Sequence, residues 1–366
     1  MRPVTETELA EVVRDAPGPL YIRGGGTRGP VAKGVPLDVS GLSGISLYEP
    51  GALTLVAGAG TALAEVEAAL ERERQRLAFE PPDLQRLLGR SGVSTLGGVV
   101  AANASGPRRM QSGAARDHML GIRFVDGSGA IVKSGGRVMK NVTGLDLVKL
   151  LAGSHGTLGV ISEVALKVQA IPEAEVTLVG ALDLEAGLAA LRQAMSSPYD
   201  VTGAAFVPGI GALIRLEGMA GSVRYRSAAL TGRLSGPWEQ RSNAGSVALW
   251  RDVRDVTVFA GQAGAVWRLS VKPSDALRVT AGLTDLSHQA MFDWGGGLIW
   301  VLVPSGASAL VRGLIAGRGH ATLVRGVPGM EEVPVFQPES AGVAALTAGL
   351  RATFDPRGIL NKGLMA

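Results

Sequence analysis

Apolar residues recur at two spacings along the chain, and each spacing predicts a different secondary structure. Leu9, Val12 and Val13 share one face of a predicted helix over residues 5–16, which opens with a Thr-x-x-Glu capping box. Short apolar runs bounded by Gly and Pro predict strands instead. In the first half of the chain these strands are expected at 20–22, 37–39, 45–47, 53–57 and 160–168, with a hairpin formed by 121–125 and 130–133.

A second helix is predicted after Thr61, which we expect to cap it, and its apolar face carries Leu63, Val66, Leu70 and Leu77. Beyond residue 172 strands and helices alternate, which predicts an antiparallel sheet with helices on one face. The predicted strands are 175–182, 204–207, 212–216, 266–271 and 298–303, and the predicted helices are 184–195, 223–234, 274–283 and 305–316.

A last helical stripe lies near the C-terminus, where Val343, Leu346, Leu350 and Phe354 recur three or four residues apart. Stripes of this kind usually face the interior of a folded domain. We therefore expect these four side chains to be part of the core and not part of a functional site.

Composition limits the chemistry that the chain can supply. Its 366 residues are 46% apolar and 19% charged with a net charge of +4, so it is a folded protein without the basic clusters that bind nucleic acid. It has no cysteine, which excludes disulfides and cysteine-ligated iron–sulfur clusters within the chain. We see neither a signal peptide nor a transmembrane segment, so we expect a cytoplasmic protein, or one held on the inner membrane face by partners.

Small residues are concentrated in three glycine-rich segments at 94–106, 141–147 and 153–161. Glycine lets the backbone approach a ligand closely, and the N–H groups and hydroxyls of such segments supply hydrogen-bond donors. Three such segments within about seventy residues predict the wall of a long cofactor trench.

A fourth glycine-rich loop begins at Gly24 and matches the pattern GxGxxG through Gly26 and Gly29. A dinucleotide fingerprint of that kind must open a helix, and Pro30 and Pro36 forbid one here. We expect a turn whose backbone donors hold a pyrophosphate, and the alternative is a plain glycine turn.

Taken together, these segments resemble the FAD-binding domain of the vanillyl-alcohol oxidase and p-cresol methylhydroxylase family, and within it the FAD-binding subunits of bacterial glycolate oxidases. The motifs that carry the resemblance are Arg23-Gly24-Gly25-Gly26-Thr27, Thr95-Leu96-Gly97-Gly98 with 102–109, Ser112-Gly113 with Arg116-Asp117, Lys140-Asn141-Val142-Thr143-Gly144 with Asp146, 153–160, and 355–361. The middle third of the chain resembles the family much less.

The resemblance implies an α+β fold. It consists of a PCMH-type FAD-binding domain of two α+β subdomains and a cap domain built on an antiparallel sheet with helices. The expected division is 1–172 for the FAD-binding domain, 173–333 for the cap, and 334–366 for a C-terminal segment that returns to the FAD-binding domain.

The resemblance also implies which residues hold FAD. The loop from Gly24 to Thr27 would bind the pyrophosphate, the second motif would follow the pyrophosphate, ribityl chain and ring, and Asn361 would be drawn back to the flavin. The full expected set is Arg23, Gly24, Gly25, Gly26, Thr27, Arg28, Pro82, Thr95, Leu96, Gly97, Gly98, Ala102, Asn103, Ser105, Gly106, Gly113, Asp117, Gly144, Gly156, Thr157, Gly159, Val160, Ile161 and Asn361. For Asn361 the alternative is a turn residue.

Two features depart from the family pattern. Leu145 stands where relatives usually have Tyr, and the histidine-rich metal and substrate motif of relatives that oxidise D-2-hydroxy acids is missing from the cap. We therefore expect no metal site and assign no catalytic residue. His155 lies inside a flavin motif, but a structural role is the stronger expectation. No histidine or cysteine stands at a recognisable attachment position, so we expect FAD to be bound noncovalently.

Four arginines are candidates for pairing with a phosphate or a substrate carboxylate, because a guanidinium matches both groups: Arg108, Arg109, Arg116 and Arg268. The alternative for each is an ordinary surface charge or ion pair.

The function that the resemblance implies is that of an FAD-binding subunit in a glycolate oxidase-like complex. Such a complex oxidises glycolate, or a related 2-hydroxy acid, to the 2-oxo acid. Its other parts would be a larger homologous FAD-containing subunit and an iron–sulfur subunit that takes the electrons. Two alternatives remain: an independent FAD-dependent D-2-hydroxy acid dehydrogenase, and an assembly subunit that holds flavin, or none, without its own turnover.

Overall fold

The computed structural model describes residues 1–137 and 144–365. Its helices are α1 (Glu6–Arg14), α2 (Leu63–Arg72), α3 (Gln85–Leu88), α4 (Leu96–Ala101), α5 (Arg109–Ser112), α6 (Leu147–Leu151), α7 (Leu184–Met195), α8 (Ala220–Thr231), α9 (Ala244–Arg254), α10 (Ala276–Ala281), α11 (Ser308–Ile315) and α12 (Ala341–Phe354). Its strands are β1 (Leu20–Arg23), β2 (Val35–Asp38), β3 (Ile45–Glu49), β4 (Thr54–Gly58), β5 (Gln75–Arg76), β6 (Met119–Val125), β7 (Ile131–Gly135), β8 (Val160–Lys167), β9 (Gln169–Ala170), β10 (Ala174–Gly180), β11 (Val201–Val207), β12 (Gly211–Gly218), β13 (Trp238–Ser242), β14 (Ala265–Ser270), β15 (Gln289–Asp293), β16 (Leu298–Val303) and β17 (His320–Arg325).

The N-terminal layer joins the two ends of the chain. Helix α1 begins as expected, because the Thr5 hydroxyl accepts a hydrogen bond from the Glu8 N–H at 3.2 Å. Strand β1 pairs in parallel with β2, and Leu20 forms a parallel bridge to Leu360. Leu9, Leu20 and Leu360 are buried in one cluster, so the C-terminal segment returns to the start of the chain.

A five-stranded antiparallel sheet in the order β3-β4-β8-β6-β7 forms the second layer. Its core contains Leu55, Phe124 and Val164 from the sheet, and α2 and α4 pack on it.

The prediction that Thr61 is the N-cap residue of α2 was wrong. The helix follows Ala62, and the Thr61 hydroxyl instead accepts a hydrogen bond from the Gly44 N–H at 2.9 Å, because this loop packs on the turn before β3.

The eight strands from β10 to β17 form a separate antiparallel sheet in the order β13-β10-β12-β11-β15-β16-β14-β17. Helices α7, α8, α10 and α11 cover one face through Leu188, Val223, Val279 and Val311. Trp250 of α9 packs on the other face, together with residues that include Leu87 of α3. Sequence patterns missed β13, β15, β17 and α9. Strand β13 has the sequence Trp-Glu-Gln-Arg-Ser and lies at the sheet edge, exposed to solvent, so no apolar alternation marks it.

The expected burial of the C-terminal stripe was wrong for three of its four residues. Val343, Leu346 and Leu350 are 49%, 72% and 40% exposed. Only Phe354, at the end of α12, packs against the core, where its ring lies 6.1 Å from that of Phe124. The spacing correctly predicted a helix, but within the described residues no other segment covers this face of α12.

Five charged residues join the cap sheet to the first half of the chain, and we call them the Arg215 cluster: Arg76, Glu80, Arg108, Arg215 and Glu217. Arg215 donates to both oxygens of Glu80 at 2.9 Å, and its guanidinium lies 4.6 Å above the Trp250 ring. Glu217 accepts from Arg76 at 2.6 Å. Burial alone would raise the pKa of Glu217, but Arg215 and Arg76 beside it hold that pKa below its usual value.

Candidate cofactor-binding cleft

A cleft lies between the end of β1, the glycine loop that follows it, the start of α4 and the C-terminal segment. Its lining is Tyr21, Ile22, Arg23, Gly24, Gly25, Gly26, Thr27, Arg28, Gly29, Pro30, Thr95, Gly98, Ala101, Ala102, His155, Asn361 and Leu364. Ten of these residues belong to the set expected from the sequence. Four separate stretches of chain therefore meet at one place: 21–30, 95–102, His155 and 361–364.

The glycine loop after β1 packs directly on the segment before α4. A Cβ at Gly24 would overlap the Thr95 hydroxyl, and a Cβ at Gly25 would overlap the backbone carbonyl of Val93. Gly26 adopts a φ of +68° and has open space beside it. Gly24 and Gly25 thus allow the loop to approach its neighbour, and Gly26 turns the backbone along the cleft.

Helix α4 presents its first turn to the cleft. Thr95 is its N-cap, and the Thr95 hydroxyl accepts a hydrogen bond from the Gly98 N–H at 3.3 Å. Gly98 lines the cleft, whereas a Cβ at Gly97 would lie only 2.7 Å from the Cβ of Ala59. Leu96 is fully buried. In this motif, Thr95 and Gly98 can face a ligand, and the two residues between them hold the helix on the sheet.

Arg28 supplies positive charge with unused donors. Its Nη2 donates to the Ser94 hydroxyl, while its Nε and Nη1 are buried and have no hydrogen-bond partner among the described residues. Burial lowers the pKa of Arg28 to about 10, so the group remains a cation at neutral pH. A buried guanidinium with free donors is costly unless an anion pairs with it. The pyrophosphate of FAD would satisfy this group.

Asn361 ties the C-terminal segment to the cleft. Its Oδ1 accepts from the Ile22 N–H at 2.7 Å, and its Nδ2 donates to the His155 carbonyl at 2.8 Å. A Cβ at Gly156 would lie 2.9 Å from that amide nitrogen, which explains the small residue there. Asn361 is thus both a lining residue and the residue that orders its neighbours.

His155 also lines the cleft, beside Asn361. Its ring lies 4.9 Å from that of Phe336. Burial lowers the pKa of His155 to about 4, so the imidazole is neutral at pH 7. A neutral ring of this kind fits a packing role near the cofactor.

The other expected residues lie outside this lining, and their contact with the cofactor stays a prediction. Asn103, Ser105, Gly106, Gly113 and Asp117 order two loops against each other: Asn103 Oδ1 accepts from the Arg116 N–H at 3.0 Å, Ser105 Oγ from the Ala115 N–H at 2.9 Å, and Asp117 Oδ2 from the Ala114 N–H at 2.8 Å. Pro82, Gly156, Thr157, Gly159, Val160 and Ile161 are buried, and Gly144 is exposed. The segment Lys140-Asn141-Val142-Thr143 lies outside the described residues.

Helix α5 and the cap together contribute a second group of cations, next to Gly106. The guanidinium groups of Arg109 and Arg268 lie 4.7 and 5.2 Å from the ring centre of Trp294, whose Nε1 donates to the Gly106 carbonyl at 3.1 Å. Within the described residues, neither arginine has a carboxylate at salt-bridge distance. We call these two residues the Arg109–Arg268 pair.

Several pKa values around the Arg109–Arg268 pair are shifted from their usual range. Burial lowers the pKa of Arg268 to about 10, with Arg109 adding to the effect, and burial raises the pKa of Asp293 to about 7. Burial and both arginines lower the pKa of His320. Sequence reasoning proposed both arginines as anion-binding candidates but missed Trp294, because a tryptophan after a strand gives no signal of its own.

His118 has a structural contact, with its Nε2 2.9 Å from the Ser112 carbonyl. Across the part of the chain that the structure describes, no three or more His, Asp or Glu side chains are grouped to hold a metal. In the same part, no helix is long and apolar enough to cross a membrane.

Comparison with known proteins agrees with the fold. The sequence profile of the FAD binding domain family matches residues 1–135. The chain is 34% identical over 351 residues to the glycolate oxidase subunit GlcE of Escherichia coli K12, covering 95% of this chain and 92% of that protein. It is 35% identical over 130 residues to the glycolate oxidase subunit GlcD of Bacillus subtilis, covering 36% and 26%.

More distant relatives share the fold or part of the sequence. A D-lactate dehydrogenase of Archaeoglobus fulgidus is 29% identical over 176 residues, which cover 46% of this chain and 38% of that protein. A structure of alkyldihydroxyacetonephosphate synthase superposes with a TM-score of 0.72 at 17% identity, covering 99% of this chain and 75% of that one.

The fold and the cleft define a flavoprotein with a PCMH-type FAD-binding domain and an antiparallel-sheet cap. The chain belongs to the family of FAD-binding glycolate oxidase subunits. Its cofactor is FAD, and the unused donors of Arg28 beside the glycine loop fit the diphosphate of that molecule.

Proposed function

We propose that this chain is the FAD-binding subunit of a complex that oxidises glycolate, or a related 2-hydroxy acid, to the 2-oxo acid and passes the electrons to an iron–sulfur subunit. The observation that carries the proposal is the 34% identity to a glycolate oxidase subunit over 95% of the chain. Because this chain contains no cysteine, a cluster with cysteine ligands must belong to a partner. A larger homologous FAD-containing subunit is the second proposed partner.

When bound, FAD supplies the hydride-accepting chemistry of the reaction. The chain's own residues bind and orient it. Arg28 and the backbone donors of the glycine loop would hold the diphosphate, Gly98 leaves room beside the first turn of α4, and Asn361 fixes the cleft wall through Ile22 and His155.

We further propose that FAD is held without a covalent bond. Acid precipitation of the purified protein should then release all of the flavin into the supernatant. The His155→Gln variant is a useful control because His155 lines the cleft. Flavin that stays in the wild-type pellet but leaves the variant would identify a histidyl linkage and contradict the proposal.

The proposed division of the chain is 1–172, 173–333 and 334–366. It is supported by the separate eight-stranded sheet between Ala174 and Arg325 and by the bridge between Leu20 and Leu360. We also propose that the protein is cytoplasmic, or bound to the inner membrane face through partners. Fractionation of the source cells at low and high salt tests this location.

A specific observation favours a second candidate function. The Arg109–Arg268 pair offers guanidinium donors without a carboxylate partner in the described residues, and a small 2-hydroxy carboxylate is an anion that could use them. An independent FAD-dependent D-2-hydroxy acid dehydrogenase would need such a group. A third candidate, an assembly subunit with a flavin but no turnover, has no separate observation in its favour.

The deciding experiment mixes the isolated, flavin-loaded chain with glycolate or D-lactate without oxygen and follows the flavin absorbance. We expect slow or no bleaching, because no base for the substrate hydroxyl has been identified, and positioning of reacting groups can supply roughly 7–11 kcal/mol of a barrier. Addition of the larger flavoprotein partner should restore fast reduction. Bleaching of the isolated chain at the turnover rate of the full complex would contradict the subunit proposal and establish the independent dehydrogenase.

A further inference from the structure

Trp294 is a large buried residue whose backbone adopts a left-handed conformation. It stands in the turn between β15 and β16 with a φ of +55°, and it is 5% exposed. Gly295 and Gly296 continue the turn with φ values of +65° and +101°, which glycine adopts without strain. A bulky side chain rarely adopts a positive φ, and strain of this kind persists where other contacts determine the conformation. The contacts of Trp294 therefore show what the strained turn achieves.

Two hydrogen bonds fix Trp294 in place. Its backbone N–H donates to Asp293 Oδ1 at 2.7 Å within the cap, and its indole Nε1 donates to the Gly106 carbonyl at 3.1 Å. Gly106 is itself ordered, because its N–H donates to the Phe79 carbonyl at 2.8 Å and a Cβ at this residue would overlap the Glu80 carbonyl. Trp294 thus joins the cap to an ordered point in the segment that leads into α5.

The ring of Trp294 brings together two cations that are distant along the chain. Arg109 belongs to α5 and Arg268 to β14, and their guanidinium groups lie 4.7 and 5.2 Å from the ring centre. Two like charges repel each other, but each of them gains a cation–π contact with the same ring. Because both groups lie within 5.2 Å of one point, a single small anion can accept hydrogen bonds from both.

The chain leaves the charge of the Arg109–Arg268 pair available to a ligand. Across residues 1–137 and 144–365, neither arginine has a carboxylate at salt-bridge distance. Neither of them lines the cleft around Arg28, in which we place the diphosphate of FAD. The pKa of Arg268, which burial lowers to about 10, still leaves this group charged at pH 7. Guanidinium groups match the oxygens of a carboxylate, so a small carboxylate fits this pair.

We propose that Trp294 is a positioning residue, which holds Arg109 and Arg268 so that both bind the carboxylate of one small 2-hydroxy acid. The inference rests on the proposed function, because that function supplies this class of anion. It adds the residue that aligns the two arginines, one from the cap and one from the first half of the chain.

Two substitutions of Trp294 remove its contacts in steps. Phe keeps an aromatic face for the arginines but removes the hydrogen bond to the Gly106 carbonyl, and Leu removes both. Without this support the two guanidinium groups separate, and ordering them around an anion then costs side-chain entropy. The affinity for the anion should therefore fall from the wild type to Trp294→Phe and further to Trp294→Leu.

The test measures oxalate binding to the flavin-loaded protein by calorimetry. Trp294→Phe should weaken oxalate binding at least about threefold and Trp294→Leu at least about tenfold. Flavin content should not change, because Trp294 does not line the cleft around Arg28. Inorganic phosphate should bind the wild type more weakly than oxalate does, and tighter binding of phosphate would overturn the assignment to a carboxylate.

A double variant distinguishes positioning from a general defect of the fold. If Trp294 acts through the arginines, Trp294→Phe should change the oxalate affinity by less than about twofold once Arg268→Gln is present. A general defect would lower the affinity by the same factor in both backgrounds.

The matched control is Trp250→Phe. Trp250 has the same two kinds of contact, since Arg215 lies 4.6 Å above its ring and its Nε1 donates to Thr177 Oγ1 at 2.7 Å. Its arginine, however, is paired with Glu80. Trp250→Phe should therefore leave the oxalate affinity unchanged.

The inference is overturned if the wild type binds no oxalate, if Trp294→Phe keeps the wild-type affinity, if its effect is equal in both backgrounds, or if Trp250→Phe weakens oxalate binding to the same extent. The proposed function fails on a different measurement. A purified wild-type complex that contains no iron and oxidises no 2-hydroxy acid would contradict it, whatever the oxalate affinities of the variants.

Discussion

Two sets of arginines lie near the junction of the FAD-binding region and the cap, and they differ in what they contact. In the Arg215 cluster, the guanidinium of Arg215 donates to both oxygens of Glu80, and Arg76 pairs with Glu217. In the second set, which consists of Arg28 and the Arg109–Arg268 pair, no residue has a carboxylate at salt-bridge distance within the described residues.

The pKa values differ in the same way. Burial opposes the charge of Arg215, but Glu80 and Glu217 overcome it and raise the pKa of that residue. Burial lowers the pKa of Arg28 and of Arg268 to about 10 in both cases. The carboxylates of Glu80 and Glu217 explain the buried charge of Arg215 from the fold alone. Buried donors without a partner occur in both sets, so the sets differ in whether a carboxylate lies at salt-bridge distance. Because the second set has no such carboxylate among the described residues, its charge is available to a ligand anion.

The largest expected effect comes from breaking the paired set. Arg215→Ala removes both hydrogen bonds from the Glu80 carboxylate and a nearby cation from the buried Glu217, and should lower the free energy of unfolding by about 3–5 kcal/mol. Urea unfolding followed by circular dichroism measures this. Arg241→Ala is the control, because its pair with Glu239 is exposed and should contribute less than about 1 kcal/mol. Equal losses in the two variants would show that the cluster does not stabilise the fold.

A second prediction separates space for the ligand from stability of the fold. Gly98→Val adds a branched side chain to the cleft wall and should weaken FAD binding by about 1–3 kcal/mol, or roughly 5- to 150-fold. Fluorescence titration of the apoprotein with FAD measures the change. Gly221→Val makes the same substitution in α8, where a Cβ would meet nothing within 4 Å, and should not affect FAD binding. A folded Gly98→Val protein with wild-type affinity would remove Gly98 from the site.

The glycines of the cleft could be interpreted from the sequence, whereas the two sets of arginines could not be told apart. Gly24, Gly25 and Gly97 stand where a Cβ would strike neighbouring atoms, so the residue type itself records the close approach. That is why the glycine-rich segments indicated a cleft. Asn361 was expected only from the family resemblance, and its contact with the cofactor stays a prediction. Arg215 and Arg268 look alike in the sequence, because a salt bridge depends on strands that are distant along the chain.

The C-terminal helix shows another limit. Spacing correctly indicated that Val343, Leu346 and Leu350 share a helix, but spacing does not reveal what covers them.

Gly144 and Asp117 show what similarity to a family motif cannot predict. The first is exposed, and the carboxylate of the second accepts from a nearby backbone N–H. Motif membership therefore does not tell which residues face the ligand and which order the loops.

A third prediction uses the neutral imidazole of His155, whose pKa burial lowers from 6.5 to about 4. Between these pH values the unfolded chain binds more protons than the folded chain, so stability falls as the pH falls from 6.5 towards 4. From pH 8 to pH 5 the flavin-free protein should lose about 2 kcal/mol through this residue.

The measurement is the unfolding free energy of wild type and His155→Gln at both pH values. Each protein gives a change in unfolding free energy between the two pH values, and the difference between these two changes is the contribution of His155. The pKa of Asp293, which burial raises to about 7, makes stability change in the opposite direction over this range, and its contribution cancels in the comparison. Parallel pH profiles for the two proteins would show that His155 is not held neutral by the fold.

The smallest expected effect concerns the Arg109–Arg268 pair and tests whether an anion completes it. Oxalate is a small dicarboxylate that resembles a 2-hydroxy carboxylate without being oxidisable at a hydroxyl. If the pair binds a substrate carboxylate, Arg268→Gln should weaken oxalate binding by about 1.4 kcal/mol, or tenfold, in calorimetry of the flavin-loaded protein. The fold should not suffer, because the substitution removes a buried charge that has no carboxylate partner among the described residues. Arg233→Gln is the matched control, since Arg233 also lies over an aromatic ring, 5.1 Å from the centre of Tyr199, but on the exposed surface of the cap.

Oxalate binding that is absent in the wild type, or equal in all three proteins, would assign the pair to packing on Trp294 and remove the support for an independent dehydrogenase. A selective loss in Arg268→Gln would show that two arginines without carboxylates mark a ligand position in this protein, as the contrast with the paired Arg215 cluster predicts.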